Sequence, residues 1–158
     1  MNSKLWTACL LAALCTAASG ADCFIAIYGG GTGDTFSATF SGDQEVPPIV
    51  SNGTGTGTFR LNADETELSY DVSVSGMSGP ATGAHFHNSP DGAAGSGPIV
   101  FSITDTVVNG APGAATANGT WPLSAEDLMN LRLNYIYVNF HTEQNTSGEI
   151  RGNVVPAQ

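Results

Sequence analysis

Three histidines are the residues best suited to chemistry in this chain of 158 residues, and all three fall in strand-like patterns. Two lie in Gly83-Ala84-His85-Phe86-His87-Asn88. Alternate side chains of an extended strand project from the same face, so His85 and His87 share one side and Phe86 takes the other. The third closes Tyr135-Ile136-Tyr137-Val138-Asn139-Phe140-His141. There Ile136, Val138 and Phe140 form an apolar face, and His141 falls opposite them with Tyr135, Tyr137 and Asn139. A neutral imidazole is a ligand for zinc, copper, nickel or iron, and three of them with one open position suit Cu(II) or Zn. Histidines that merely decorate a polar face are the plain alternative. A blue-copper centre would need a cysteine near the third histidine, and none is there. Asp91, Glu143 and Glu149 are the carboxylates placed to supply a fourth ligand or a supporting hydrogen bond, with Arg151 close in sequence. For Glu149 and Arg151 the simpler reading is an ion pair on one face of the last strand.

The elements that must hold these histidines are short and extended. Phe36, Ala38 and Phe40 alternate with Thr35, Ser37 and Thr39; Phe59 and Leu61 share a face in 55–62; Leu68, Tyr70, Val72 and Val74 form the clearest stripe. Asn62-Ala63-Asp64-Glu65-Thr66 reads as the hairpin loop between the last two runs. Further strands are expected at 82–88, 98–104, 114–121, 135–141 and 148–155. A single helix is expected near 124–133, where Ser124 and Asp127 form an N-terminal capping pattern and Leu128, Leu131 and Leu133 supply an apolar side. Roughly seven or eight short strands and one short helix predict an all-β fold, an antiparallel Greek-key β-sandwich or flattened barrel. It occupies 35–156 as one domain. The glycine-rich runs Gly29 to Gly33 and Gly92 to Gly97 lack the Gly-Lys-Ser/Thr ending of a phosphate loop and read as plain loops.

Composition narrows the partners. With 20 Gly, 8 Pro and 41% apolar residues the chain can build a core. Fourteen acidic residues face only Lys4, Arg60, Arg132 and Arg151, a formal charge of −10. Four cations cannot form a nucleic-acid-binding patch, and anionic membrane surfaces are disfavoured for the same reason. Residues 1–21 read as an export signal: Lys4, an uncharged run from Leu5 to Ala18, then Ser19, Gly20 and Ala21. That run is shorter than the roughly 20 residues a membrane-spanning helix needs. Cleavage would remove Lys4, Cys9 and Cys15, leaving a chain one unit more negative with Cys23 as its lone thiol. Residues 22–34 then form a leader or edge strand. A secreted or periplasmic protein with no integral membrane segment after cleavage is expected.

Several of these segments occur together in a known family. Gly83-Ala84-His85-Phe86-His87-Asn88, Trp121-Pro122-Leu123-Ser124 with its helix, Tyr137-Val138-Asn139-Phe140-His141-Thr142 and Ser147-Gly148-Glu149-Ile150-Arg151-Gly152 resemble the CHRD (chordin-type) domain from about Phe36 to Val154. That resemblance implies an extracellular setting and little about biochemical role. A looser similarity is to Cu/Zn superoxide dismutase, a Greek-key β-sandwich. The stretch from Gly83 through His85, His87 and Asp91 to Pro98 is similar to its first copper-ligand strand and following loop, and His141 is placed like its last copper ligand. By that likeness His85, His87 and His141 would be copper ligands. No histidine stands where the bridging and zinc ligands would be, so a full Cu/Zn site is excluded and a mononuclear site is left.

Three functions follow as expectations. The chain is an exported carrier or buffer of one metal ion, most readily copper; its acidic surface would concentrate cations. Alternatively it is a copper-only redox enzyme acting on superoxide, with Arg151 guiding the anion against the overall negative charge. A third possibility is an extracellular module that binds protein or glycan through its loops. Asn52, Asn118 and Asn145 open N-glycosylation patterns. No Gly-x-Ser-x-Gly elbow supports a hydrolase.

Overall fold

Alternation of apolar and polar residues shapes the longest strands of the fold. The computed structural model describes residues 34–158. The expected export signal at 1–21, Cys23 and the leader up to residue 33 lie outside the described residues. The strands are β1 (Thr35–Ser41), β2 (Thr54–Leu61), β3 (Glu67–Ser75), β4 (Gly83–Asn88), β5 (Ile99–Ser102), β6 (Val107–Asn109), β7 (Ala115–Pro122), β8 (Ile136–His141), β9 (Ile150–Asn153) and β10 (Val155–Pro156). One helix, α1 (Ala125–Arg132), lies between β7 and β8. Among the described residues no helix is long and apolar enough to cross a membrane.

All ten strands join one antiparallel sheet in the order β5-β4-β8-β9-β1-β2-β3-β7-β6, with β10 added beside β1. Its two ends are successive pieces of one stretch of chain. Residues 99–102 pair with β4, a 3-10 turn at Thr104–Thr106 follows, and residues 107–109 pair with β7. The 99–109 stretch therefore crosses from one end of the sheet to the other, and the sheet curls into a flattened barrel. Running through β4, the 99–109 stretch and β7, the chain returns by α1 to lay β8 beside β4, which is a Greek key. The expected fold class holds. The strand count is higher than expected because a short strand at Val107–Asn109 lies beyond the expected 98–104 run and the last strand is split at Val154.

The two halves of the sheet face each other across an aromatic core. Phe86 on β4 meets Phe59 of β2, Tyr70 of β3 and Trp121 of β7, at centroid distances of 5.9, 5.6 and 4.8 Å. Phe40 of β1 and Phe140 of β8 meet edge to face at 5.9 Å. Such pairings add to the area these rings bury. Helix α1 begins as its sequence predicts: Asp127 N–H donates to Ser124 Oγ and Ser124 N–H donates to the Asp127 carboxylate. Leu131 is buried in the core and Leu128 packs against it, whereas Leu133 closes the helix and is 49% exposed. Arg132 in the last helical turn pairs with Glu65 at 2.7 Å and Asp34 at 3.3 Å.

Phe86 is fully buried, so β4 can sit only one way round, with His85 and His87 directed outward. Phe86→Ala is expected to destabilise the protein by about 3–5 kcal/mol, the usual range for emptying a buried phenylalanine site. Urea unfolding followed by tryptophan fluorescence reads this directly; a midpoint within error of the wild type would contradict the central place given to this ring.

Candidate metal centre

Strand register assembles the site on the outer face of β4, β8 and β9. His85 stands opposite Asn139, which stands opposite Arg151; in the next row His87 stands opposite Tyr137, which stands opposite Asn153. Opposed residues on one face of an antiparallel pair are neighbours, so the alternation brings these side chains together without any loop. His141, opposite Gly83, completes the group from the row beside His85. His85 Nδ1 lies 3.0 Å from His141 Nε2, and one nitrogen of each of the three rings lies within 4.8 Å of the others. No carboxylate joins this cluster among the described residues.

The outer face differs from its expected character as an open polar surface. Tyr137 and Asn139 are buried, His87 is only 8% exposed and Arg151 is fully buried. The glycine-rich loop of residues 89–98 covers His87, Tyr137 and Arg151. Arg151 donates from Nη1 to Gly95 O (2.6 Å) and from Nη2 to Gly92 O (3.2 Å), and from Nε and Nη2 to Asn153 Oδ1. Its guanidinium lies 3.6 Å over the Tyr137 ring, whose opposite partner in the row, His87, is stacked on it at 4.7 Å and 6°. Gly97 must be a glycine, because a Cβ there would overlap the carbonyl oxygen of Asn88. The loop can then press down far enough for Gly97 O to reach His87.

Hydrogen bonds fix which nitrogen the His87 ring presents. His87 Nδ1 is 2.9 Å from Gly97 O, and His141 Nδ1 is 3.0 Å from Thr146 O. A carbonyl oxygen only accepts, so His87 Nδ1 carries the proton and its Nε2 keeps a lone pair; His141 lies between two acceptor oxygens, Thr146 O at Nδ1 and Asn139 Oδ1 at Nε2 (3.1 Å), which compete for its proton. His87 Nε2 is buried with no partner of its own. Burial holds all three imidazoles below the usual histidine range. His85 is held at about 4, with the neighbouring His141 and His87 adding to the effect of burial. The three rings are therefore neutral near pH 7, the state that binds metal. An unpartnered buried imidazole nitrogen beside two further imidazoles fits a cation.

The other expected residues take different places. Glu149 is buried and accepts hydrogen bonds from Ser51 Oγ, Ser78 N, Ser78 Oγ and Thr142 Oγ1. Burial alone would raise its carboxyl, but these four donors outweigh burial and hold it at about 2. Glu149 and Arg151 do not form the expected ion pair. Adjacent register positions two apart do not settle contact when each side chain has stronger local partners, hydroxyls for one and loop carbonyls for the other. By gripping Thr142, Glu149 steadies the turn of 142–148 that supplies Thr146 O to His141. Asp91 is exposed in the covering loop beside Gly95, and Glu143 is exposed in the 142–148 turn. Arg151 cannot guide an anion: it is buried, and its donors are taken up by the covering loop and Asn153.

Sequence reasoning missed Glu45. It follows β1 in Gln44-Glu45-Val46-Pro47-Pro48 and is 8% exposed, with Oε1 unpartnered. Gly148, at φ +128°, leaves the space beside Asn139 that Glu45 Oε1 fills. Burial pushes the Glu45 carboxyl up to about 7, against the opposing pull of the Arg151 charge and the Asn139 amide. No strand periodicity covers residue 45; an acid beside a stiff proline pair was the sole signal. Its folded value lies above the 4.5 of an ordinary glutamate, so its contribution to stability is full below about 4.5 and is lost as pH rises through about 7. Glu45→Gln in the metal-free protein should therefore gain on the wild type in urea unfolding between pH 5 and pH 8. A gap that does not change with pH would contradict this burial.

The family model of the CHRD domain matches residues 36–154, which take in every residue of the cluster. No curated protein matches the chain.

Proposed function

The chain belongs to the CHRD-domain family, and from that premise we propose that it is an exported domain that carries or buffers one metal ion, copper before zinc. His85, His87 and His141 hold the ion. The observation that carries this reading is the convergence of three neutral imidazoles, one of which has a buried nitrogen without a partner. An orphaned buried acceptor is unfavourable by roughly 1–3 kcal/mol, and a bound cation removes that penalty. Three imidazoles without thiolate or carboxylate are compatible with copper and zinc and poorly suited to calcium or magnesium.

The protein's own part is to orient. Gly97 O sets the His87 ring with its Nε2 lone pair free, Thr146 O holds the His141 ring from its Nδ1 side, and the Arg151–Tyr137 stack keeps the covering loop over His87. Carbonyl support of this kind fixes tautomer and ring angle before the metal arrives. Bound copper would supply a one-electron couple, but no exposed cation lies in the described cluster to draw in an anionic substrate, which favours carriage over turnover. The acidic composition acts in the same direction, attracting cations.

The test is calorimetric titration with Cu(II), Cu(I) and Zn(II) of the wild type and of the variant with His85, His87 and His141 all changed to Ala. One equivalent bound by the wild type, with affinity reduced in the variant by more than the roughly 100-fold a supporting residue can cause, is the expected result. Equal behaviour of the two proteins would overturn the reading and turn the search to protein and glycan partners. Superoxide turnover by the copper-loaded wild type that is absent from the variant would replace the carrier with the redox enzyme.

A further inference from the structure

A fourth polar side chain, Asn139, stands among the three histidines. Strand register places it opposite His85 and two residues before His141, on the face all of them share. It is buried, and its Oδ1 faces His141 Nε2 at 3.1 Å. Burial holds His87 below its usual range and the Asn139 side chain pulls the other way, as an acceptor oxygen near the ring does. The other end of the amide is turned toward Glu45: a Cβ at Gly148 would touch both Asn139 Nδ2 and Glu45 Oε1. An amide nitrogen donates and a carboxylate oxygen accepts, so the nitrogen end suits Glu45 and the oxygen end is left for the histidines.

Spacing and chemistry both fit a ligand. Two donors about 2.0–2.1 Å from one ion are about 2.9 Å apart at a right angle and about 3.3 Å apart in a tetrahedron. His85 Nδ1 and Asn139 Oδ1 lie 3.0 and 3.1 Å from His141 Nε2, within that window. A metal on His141 Nε2 leaves the proton of the ring on Nδ1, where Thr146 O accepts it. Asn139 Oδ1 then has no N–H to accept from at His141, and a buried amide oxygen needs a donor or a cation. We infer that Asn139 Oδ1 is the fourth ligand of the metal. This inference rests on the metal-binding reading. Four ligands from the protein close the coordination shell, which fits holding an ion rather than working on a substrate. A carboxamide oxygen is a hard donor, so it serves Cu(II) and Zn(II) and does little for Cu(I).

A crystal structure of the protein loaded with Zn(II) or Cu(II) tests this. Asn139 Oδ1 should lie in the first shell, about 2.0–2.2 Å from zinc, beside nitrogens of His85, His87 and His141. A water in the fourth position, with Oδ1 out of contact, would overturn the inference and leave the three-histidine reading standing. No metal at the histidines would overturn both. In solution, Asn139→Leu keeps the size of the side chain and removes its oxygen. It should lower Cu(II) and Zn(II) affinity by about 10-fold or more while Cu(I) affinity stays within about threefold of the wild type. Equal losses for Cu(I) and Cu(II) would mark a side chain that only positions His141 and would overturn its role as a ligand, as would no loss at all. The wild-type structure decides the question whether or not that variant folds.

Discussion

The burial of one phenylalanine sets the terms for the rest of the molecule. Phe86 is surrounded by Phe59, Tyr70 and Trp121 from three strands of the opposite half-sheet. A slip of β4 by one residue would expose this ring and bury two imidazoles in an apolar core, a change unfavourable on both counts. Two histidines on either side of a core aromatic are thereby forced to the outer face. The same logic acts on β8, where Val138 and Phe140 are fully buried and His141 is directed outward. Hydrogen bonding between β4 and β8 then brings the two outward faces together.

What makes that outer face a site is its cover. An open sheet face would leave the histidines hydrated and free to titrate near their ordinary range. The 89–98 loop, held by the buried Arg151 and by close approach at Gly97, excludes water from His87 and Tyr137. Desolvation disfavours the charged imidazolium, and the Gly97 carbonyl settles which nitrogen of His87 carries the proton. Arg151 brings a positive charge into this layer, and the nearby Glu45 provides a carboxyl that burial keeps partly protonated near neutrality. Thus the polar outer face of β4, β8 and β9 is packed almost as fully as the apolar inner one.

Much of this was legible in the residues themselves. Alternation identified β1, β2, β3, β7 and β8 and put the three histidines on faces away from the core, and Ser124 with Asp127 marked the start of α1. The limits have a physical reason. Period-two alternation reports which side of a strand meets the main core, but it says nothing about what covers the other side. The covering role of Gly92 to Gly97 was therefore read as a plain loop, and Arg151 as a partner for Glu149 or a guide for anions. Both residues instead satisfy themselves on groups distant in sequence: Ser51 and Ser78 for Glu149, Gly92 and Gly95 for Arg151. Glu45 was missed because its environment is made by Gly148 and Asn139, far along the chain. The crossing of 99–109 depends on a 3-10 turn at Thr104 that leaves little trace in hydropathy.

The central claim is that three imidazoles, and no thiolate or carboxylate, surround one metal ion. X-ray absorption at the copper edge of protein loaded with one equivalent tests it most directly. The account predicts a first shell of light atoms with the outer-shell scattering of three imidazole rings, reduced to two in the His141→Ala variant. A spectrum with one ring or none, or one unchanged by that substitution, would contradict it.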